Sequence, residues 1–106
     1  MMTFRRWDIW EAYVKFEDEP GGKCRPVLVL DEERCYVLSL KITSKPPRNW
    51  VPGEYPIRMW KAAGLDCQST IRTTKRLRLV ESDFRRKRGV LHPIDRAELK
   101  NYIGSF

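Results

Sequence analysis

Between Trp7 and Val80 the chain is cut into short apolar runs by proline, glycine and charged turns. Only the C-terminal stretch keeps a helical repeat. Runs this short leave no room for parallel crossovers and favour antiparallel neighbours. "WDIWEAYVKF" (7–16) alternates, so Trp10, Ala12, Val14 and Phe16 can share one face of a half-buried strand. "EDEPGG" (17–22) is a turn, and "PVLVL" (26–30) reads as a strand buried on both faces. "DEER" (31–34) is a tight polar turn, and "CYVLSLKI" (35–42) is the returning strand of a hairpin. A proline-rich loop (43–54) and a short strand (55–59) follow. "WKAAGL" (60–65) makes one helical turn closed by Gly64. "STIRTTKRLRLV" (69–80) is one bent strand or two short ones. "ESDFRRKRG" (81–89) reads as a turn or short helix, its cations solvated. The closing helix (92–106) starts with Pro93 in its first turn, carries Asp95 there, and can bury Ile94, Leu99, Tyr102 and Ile103. Five or six strands and one terminal helix predict a small antiparallel barrel or sandwich in a single domain, 1–106.

Charge narrows the partner. The 106 residues carry a net +7, placed unevenly. Residues 1–20 hold three basic and five acidic side chains, whereas 41–88 hold thirteen basic and four acidic. A one-sided field of this kind fits a polyanion or an acidic protein. No apolar run approaches the roughly 20 residues of a membrane-spanning helix. The N-terminus "MMTFRRWDIW" lacks an apolar signal core, and the expected location is cytoplasmic. Cys24, Cys35 and Cys67 have no metal-ligand spacing and read as reduced thiols. His92 is the only histidine and directly precedes Pro93 at the helix start, a place that speaks against catalysis.

The run "GGKCRPVLVL" (21–30) sets a guanidinium, Arg25, at the mouth of a buried strand, after a loop that Gly21 and Gly22 make flexible. Pro26 biases Arg25 towards an extended backbone. Taken alone, Arg25 covers a sheet edge, and Thr43, at a strand end, bonds to local backbone. Arg76 and Arg78 alternate with Leu77 and Leu79, which makes either a phosphate track or a solvated face. Lys45, Arg48 and Trp50 lie on the proline-rich loop; Trp50 can stack on a base or plug the barrel.

The order "WDIWEAYVKFEDEPGGKCRPVLVL", "LSLKITSK", "GLDCQSTIR", "GVLHPIDRAEL" resembles the MazF/PemK-like toxins of bacterial type II toxin–antitoxin pairs, from about Trp7 to the C-terminus. The resemblance implies a mainly β fold, an SH3-like antiparallel barrel of the CcdB/MazF type with a C-terminal helix. It also implies a homodimer that cleaves single-stranded RNA at short motifs without metal or other cofactor. The products end in a 2′,3′-cyclic phosphate and a 5′-hydroxyl, and a cognate acidic antitoxin blocks the site. On the family pattern Arg25 and Thr43 are the catalytic pair. Arg72 of "S-x-x-R" binds RNA or fixes the barrel. Ser44, Lys45, Trp50, Arg76 and Arg78 are candidate RNA contacts, and Gly22, Lys23 and Glu19 candidate loop contributors. Many members carry an aspartate two residues after that arginine, where this chain has Thr74. A non-catalytic barrel that binds nucleic acid, or a protein target such as DNA gyrase, is the alternative.

Overall fold

A computed structural model describes residues 2–103 of the chain. The runs read as strands become β1 (Asp8–Lys15), β2 (Gly22–Glu32), β3 (Val37–Thr43), β4 (Glu54–Pro56) and β5 (Thr70–Leu79), and α1 (Pro93–Ile103) closes the chain. A sixth strand, β6 (Phe84–Val90), stands where the charged run 81–89 suggested a turn or helix; only Glu81–Asp83 form a 3-10 turn. The cations are tolerated because β6 is an edge strand, where charge blocks further pairing. Among the described residues all strand pairings are antiparallel and the order is β4-β5-β3-β2-β1-β6.

The hydrogen-bonded sheet therefore does not close into a barrel: β4 and β6 are its two edges. The seam is filled by close backbone packing. Residues 58–64 form a turn whose end has the Schellman pattern, with Gly64 N–H bonded to Lys61 O (3.0 Å) and Leu65 N–H to Trp60 O (3.0 Å). Gly64 has φ +86°, and a Cβ there would collide with Arg88 O; a Cβ on Gly89 would collide with Ala63 O. This pair of glycines lets the turn lie against β6.

Alternation fills both faces of the sheet. Ile9, Leu28, Leu40, Ile42, Tyr55, Ile71, Leu91 and Leu99 build the core on one face. Phe4, Trp10, Ala12, Val14, Val27, Val29 and Phe84 build a second on the other. Val27 to Leu30 are all buried, as a strand with two covered faces requires. Phe16, expected with Trp10 and Val14, lies beyond β1 and is exposed.

The helix departs from its expected apolar stripe. Leu99 is fully buried, but Ile94 and Tyr102 are about half exposed (47% and 48%). The side chain of Ile103 and residues 104–106 lie outside the described residues. The inward anchor is Asp95, which is 0% exposed. Its carboxylate accepts the Tyr55 hydroxyl (2.5 Å) and the N–H groups of Arg58 (2.9 Å) and Met59 (3.0 Å). Burial, then Asp95 and Glu98, push the Tyr55 phenol well above its ordinary pKa. His92 Nδ1 accepts the N–H of Ile94 (3.1 Å), so the histidine caps the helix start.

Candidate functional site

The site is built by a parting of strands. β2 pairs with β3 only as far as Val27 opposite Lys41. Before that point β2 runs with β1, down to Gly22 opposite Lys15. Beyond it β3 runs with β5, ending at Thr43 opposite Thr70. Pro26 has no N–H to give to either neighbour. A cleft of about 480 Å³ opens there, lined by residues from 23–26, 41–45, 65–69, Glu11, Arg72 and Arg88. Arg25, two residues before the last β2–β3 pair, and Thr43, two residues beyond it, stand on the two strands just past the point where they part. Both face the same cleft.

Arg25 is not on a flexible loop, as the Gly-Gly pair suggested. It lies in β2, paired with Ala12, and the turn ends before Gly22. Gly21 takes φ +90°, and a Cβ on Gly22 would collide with Val14 O and the Tyr13 ring, so the glycines shape the hairpin tip. Nε of Arg25 is buried and has no hydrogen-bond partner among the described residues. Burial, and then the charge of Arg72, lower the pKa of its guanidinium.

Thr43 is 9% exposed, and its Oγ1 accepts the N–H of Lys45 (3.3 Å). That bond fixes the oxygen and leaves the hydroxyl proton free to be donated. Arg72 Nε stands 3.3 Å from Glu54 Oε2 but is not aligned for a hydrogen bond. Glu54 is instead gripped by Arg48, through the backbone N–H (2.9 Å) and the guanidinium (2.5 Å). The Arg48 guanidinium holds the Glu54 carboxyl below its ordinary pKa. In this way the proline-rich loop is tied to β4, beside Arg72.

Lys41 is a cleft residue that sequence reasoning passed over, as it did Glu11, Asp66 and Arg88, the last read as a solvated cation but ion-paired, with its side chain 8% exposed. Burial, then Arg25, with Arg72 and Lys75 further down, lower the Lys41 ammonium pKa; Glu17 opposes them. The signal was in "SLKIT": Ser39, Lys41 and Thr43 alternate with Leu40 and Ile42, a polar row ending at the predicted catalytic threonine. Glu17, an acid of the turn before Gly22, lies outside the cleft lining. It bonds Lys75 (3.1 Å) across the hairpin tip, and Lys75 first, then Lys41 and Arg72, lower its pKa. Lys75 can reach it because β5 is kinked. Leu40 pairs with Arg76 but Lys41 with Arg72, so Thr73, Thr74 and Lys75 are looped out of the ladder. The bulge is held by Thr73, whose N–H (2.9 Å) and hydroxyl (2.6 Å) both bond Gly53 O.

The remaining predicted residues divide. Lys23, Ser44 and Lys45 line the cleft with Arg25, Thr43 and Arg72. Gly22, Glu19 and Trp50 do not; Trp50 is 79% exposed and plugs nothing. Arg76 and Arg78 do share one exposed face, but beyond the bulge, where they line a separate groove with Tyr13, Lys15 and Asp83. The far wall of the cleft is a charge cluster in which Arg88 bonds Glu11 (2.9 Å) and Asp66 (2.8 Å).

Among curated proteins none matches the chain. A solved structure, the Mycobacterium tuberculosis toxin MazF-mt6, shares the fold with a TM-score of 0.70 over 92% of either chain, at 24% identity. The family model for the PemK-like, MazF-like toxins of type II toxin–antitoxin systems matches residues 5–106, and the chain belongs to that family.

Proposed function

We propose that the protein is an endoribonuclease toxin whose cleft between β2 and β3 cleaves single-stranded RNA at short motifs. The observation that carries this reading is the gathering of Arg25, Lys41, Thr43 and Arg72 around one opening in a chain of this family. The 2′-hydroxyl gives its proton to solvent water and attacks the adjacent phosphorus, the bond to the 5′-oxygen breaks, that oxygen takes up a proton, and the products are a 2′,3′-cyclic phosphate and a 5′-hydroxyl. Arg25 supports the charge on the non-bridging oxygens, a task for which a fixed guanidinium is suited. Arg72 adds to the same field. The Thr43 hydroxyl donates to a phosphate oxygen, its own oxygen held by the Lys45 N–H. A lysine with a lowered pKa gives up a proton more readily than an arginine, so Lys41 is the donor for the leaving oxygen.

Lys23, Ser44 and Lys45 contact the flanking backbone, while Trp50 and the separate Arg76/Arg78 groove take nucleotides further along. A cognate acidic antitoxin covers the cleft. The same reading carries a homodimer and a cytoplasmic place of action. Incubation of the protein with single-stranded RNA in EDTA tests it. The expected products carry cyclic phosphate and 5′-hydroxyl ends, and an RNA with 2′-deoxyribose at the cleaved position stays whole. Binding without any cleavage would favour the non-catalytic reading instead.

A further inference from the structure

The chain carries three exposed free thiols, and they are not distributed evenly. Cys24 on β2 and Cys67, in the segment before β5, both line the cleft. Cys35 lies apart, in the turn between β2 and β3. The cleft lining holds six cationic side chains and two carboxylates, Glu11 and Asp66, and both carboxylates are bound to Arg88. The charge left over invites an anion: Arg25 Nε is buried with no hydrogen-bond partner among the described residues, and Arg25, Lys41 and Arg72 repel one another. A volume of about 480 Å³ falls in the range, about 300–1,000 Å³, in which pockets hold small molecules.

We propose that Cys24 and Cys67 make the cleft a thiol-modification site for small anionic disulfides, and that the adduct closes the cleft to RNA. The step is an exchange. The cysteine sulfur, as thiolate, attacks one sulfur of the incoming disulfide, a new S–S bond forms and the old one breaks. The departing half leaves as a thiolate and takes up the proton the cysteine lost. The protein thiol is oxidised and half of the reagent is reduced, so no other oxidant is needed. The cations draw in a disulfide that bears carboxylates and hold its adduct where a phosphodiester would lie. Only this consequence for RNA rests on the proposed nuclease activity.

The test is peptide mapping by mass spectrometry during exposure to oxidised glutathione, an anionic disulfide, or to cystamine, a cationic one. Cys24 and Cys67 are expected to react with the anionic reagent about tenfold or more faster than with the cationic one at low salt, with the ratio collapsing in 1 M salt. Cys35 is expected to show little preference and serves as the comparison within the same molecule. RNA cleavage should fall with adduct formation, return on treatment with dithiothreitol, and resist the reagent in a Cys24→Ser/Cys67→Ser variant. Equal rates for the two reagents at Cys24 and Cys67 would overturn the proposal, as would a Cys24–Cys67 disulfide in place of the adduct. If the chain proves not to cleave RNA, the reaction rates still decide the thiol site, and only the nuclease reading falls.

Discussion

Arg25 and Lys41 are two cations that burial and neighbouring positive charge make costly to keep charged, and the proposed mechanism gives them different work. An arginine holds its proton at any working pH, whereas a lysine below its ordinary value of 10.5 can release one. The sign follows from the acid role: the reactive form is the protonated one, so the rate declines as pH rises through the lowered pKa. Lys41→Arg is expected to bind RNA almost as the parent does and to lose about 100-fold in rate, together with that alkaline decline. Lys41→Gln should lose affinity as well. Fluorescence anisotropy for binding and single-turnover cleavage across pH separate the two. Arg25 and Thr43, which both line the cleft, were singled out before the fold by a family pattern. Lys41 was not, since a lysine between Leu40 and Ile42 looks like any solvated strand residue until a neighbouring strand leaves and exposes a cleft.

The alternating strands β1 and β3, and the continuous apolar run at the heart of β2, could be read from residue type alone. β6 could not: four successive cations carry no alternation, and only its place at the sheet edge explains them. The kink in β5 escaped for a related reason, because the looped-out Thr73, Thr74 and Lys75 are ordinary strand formers held out by Gly53 O. The helix shows how a polar residue can anchor an element. Asp95→Ala would strand the Tyr55 hydroxyl and two backbone N–H groups, and is expected to destabilise the fold by about 3 kcal/mol. Tyr55→Phe removes one of these bonds and should cost about 1 kcal/mol. Urea denaturation of the two variants measures the contrast.

For the molecule as a whole, the sheet parts between β2 and β3, and the close approach of Gly64 and Gly89 holds the 58–64 turn against β6 beside the Arg88 wall of that opening. On the proposed reading, the net +7 steers single-stranded RNA to that opening, and the contacts in the cleft decide what happens to it. On the same reading, five cationic contacts to phosphate, from Lys23, Arg25, Lys41, Lys45 and Arg72, imply a slope of about −3.5 in log affinity against log salt for single-stranded RNA, at about −0.7 per contact. Anisotropy titrations over a range of salt give that slope directly, and a flat dependence would show that RNA does not enter through these groups. The most direct measurement is the single-turnover cleavage rate of Arg25→Ala beside the parent, with the fold of both checked by circular dichroism. A folded variant that has lost about 100- to 1,000-fold in rate is the predicted result. A folded variant that cuts the same RNA at the parent's rate would contradict the account.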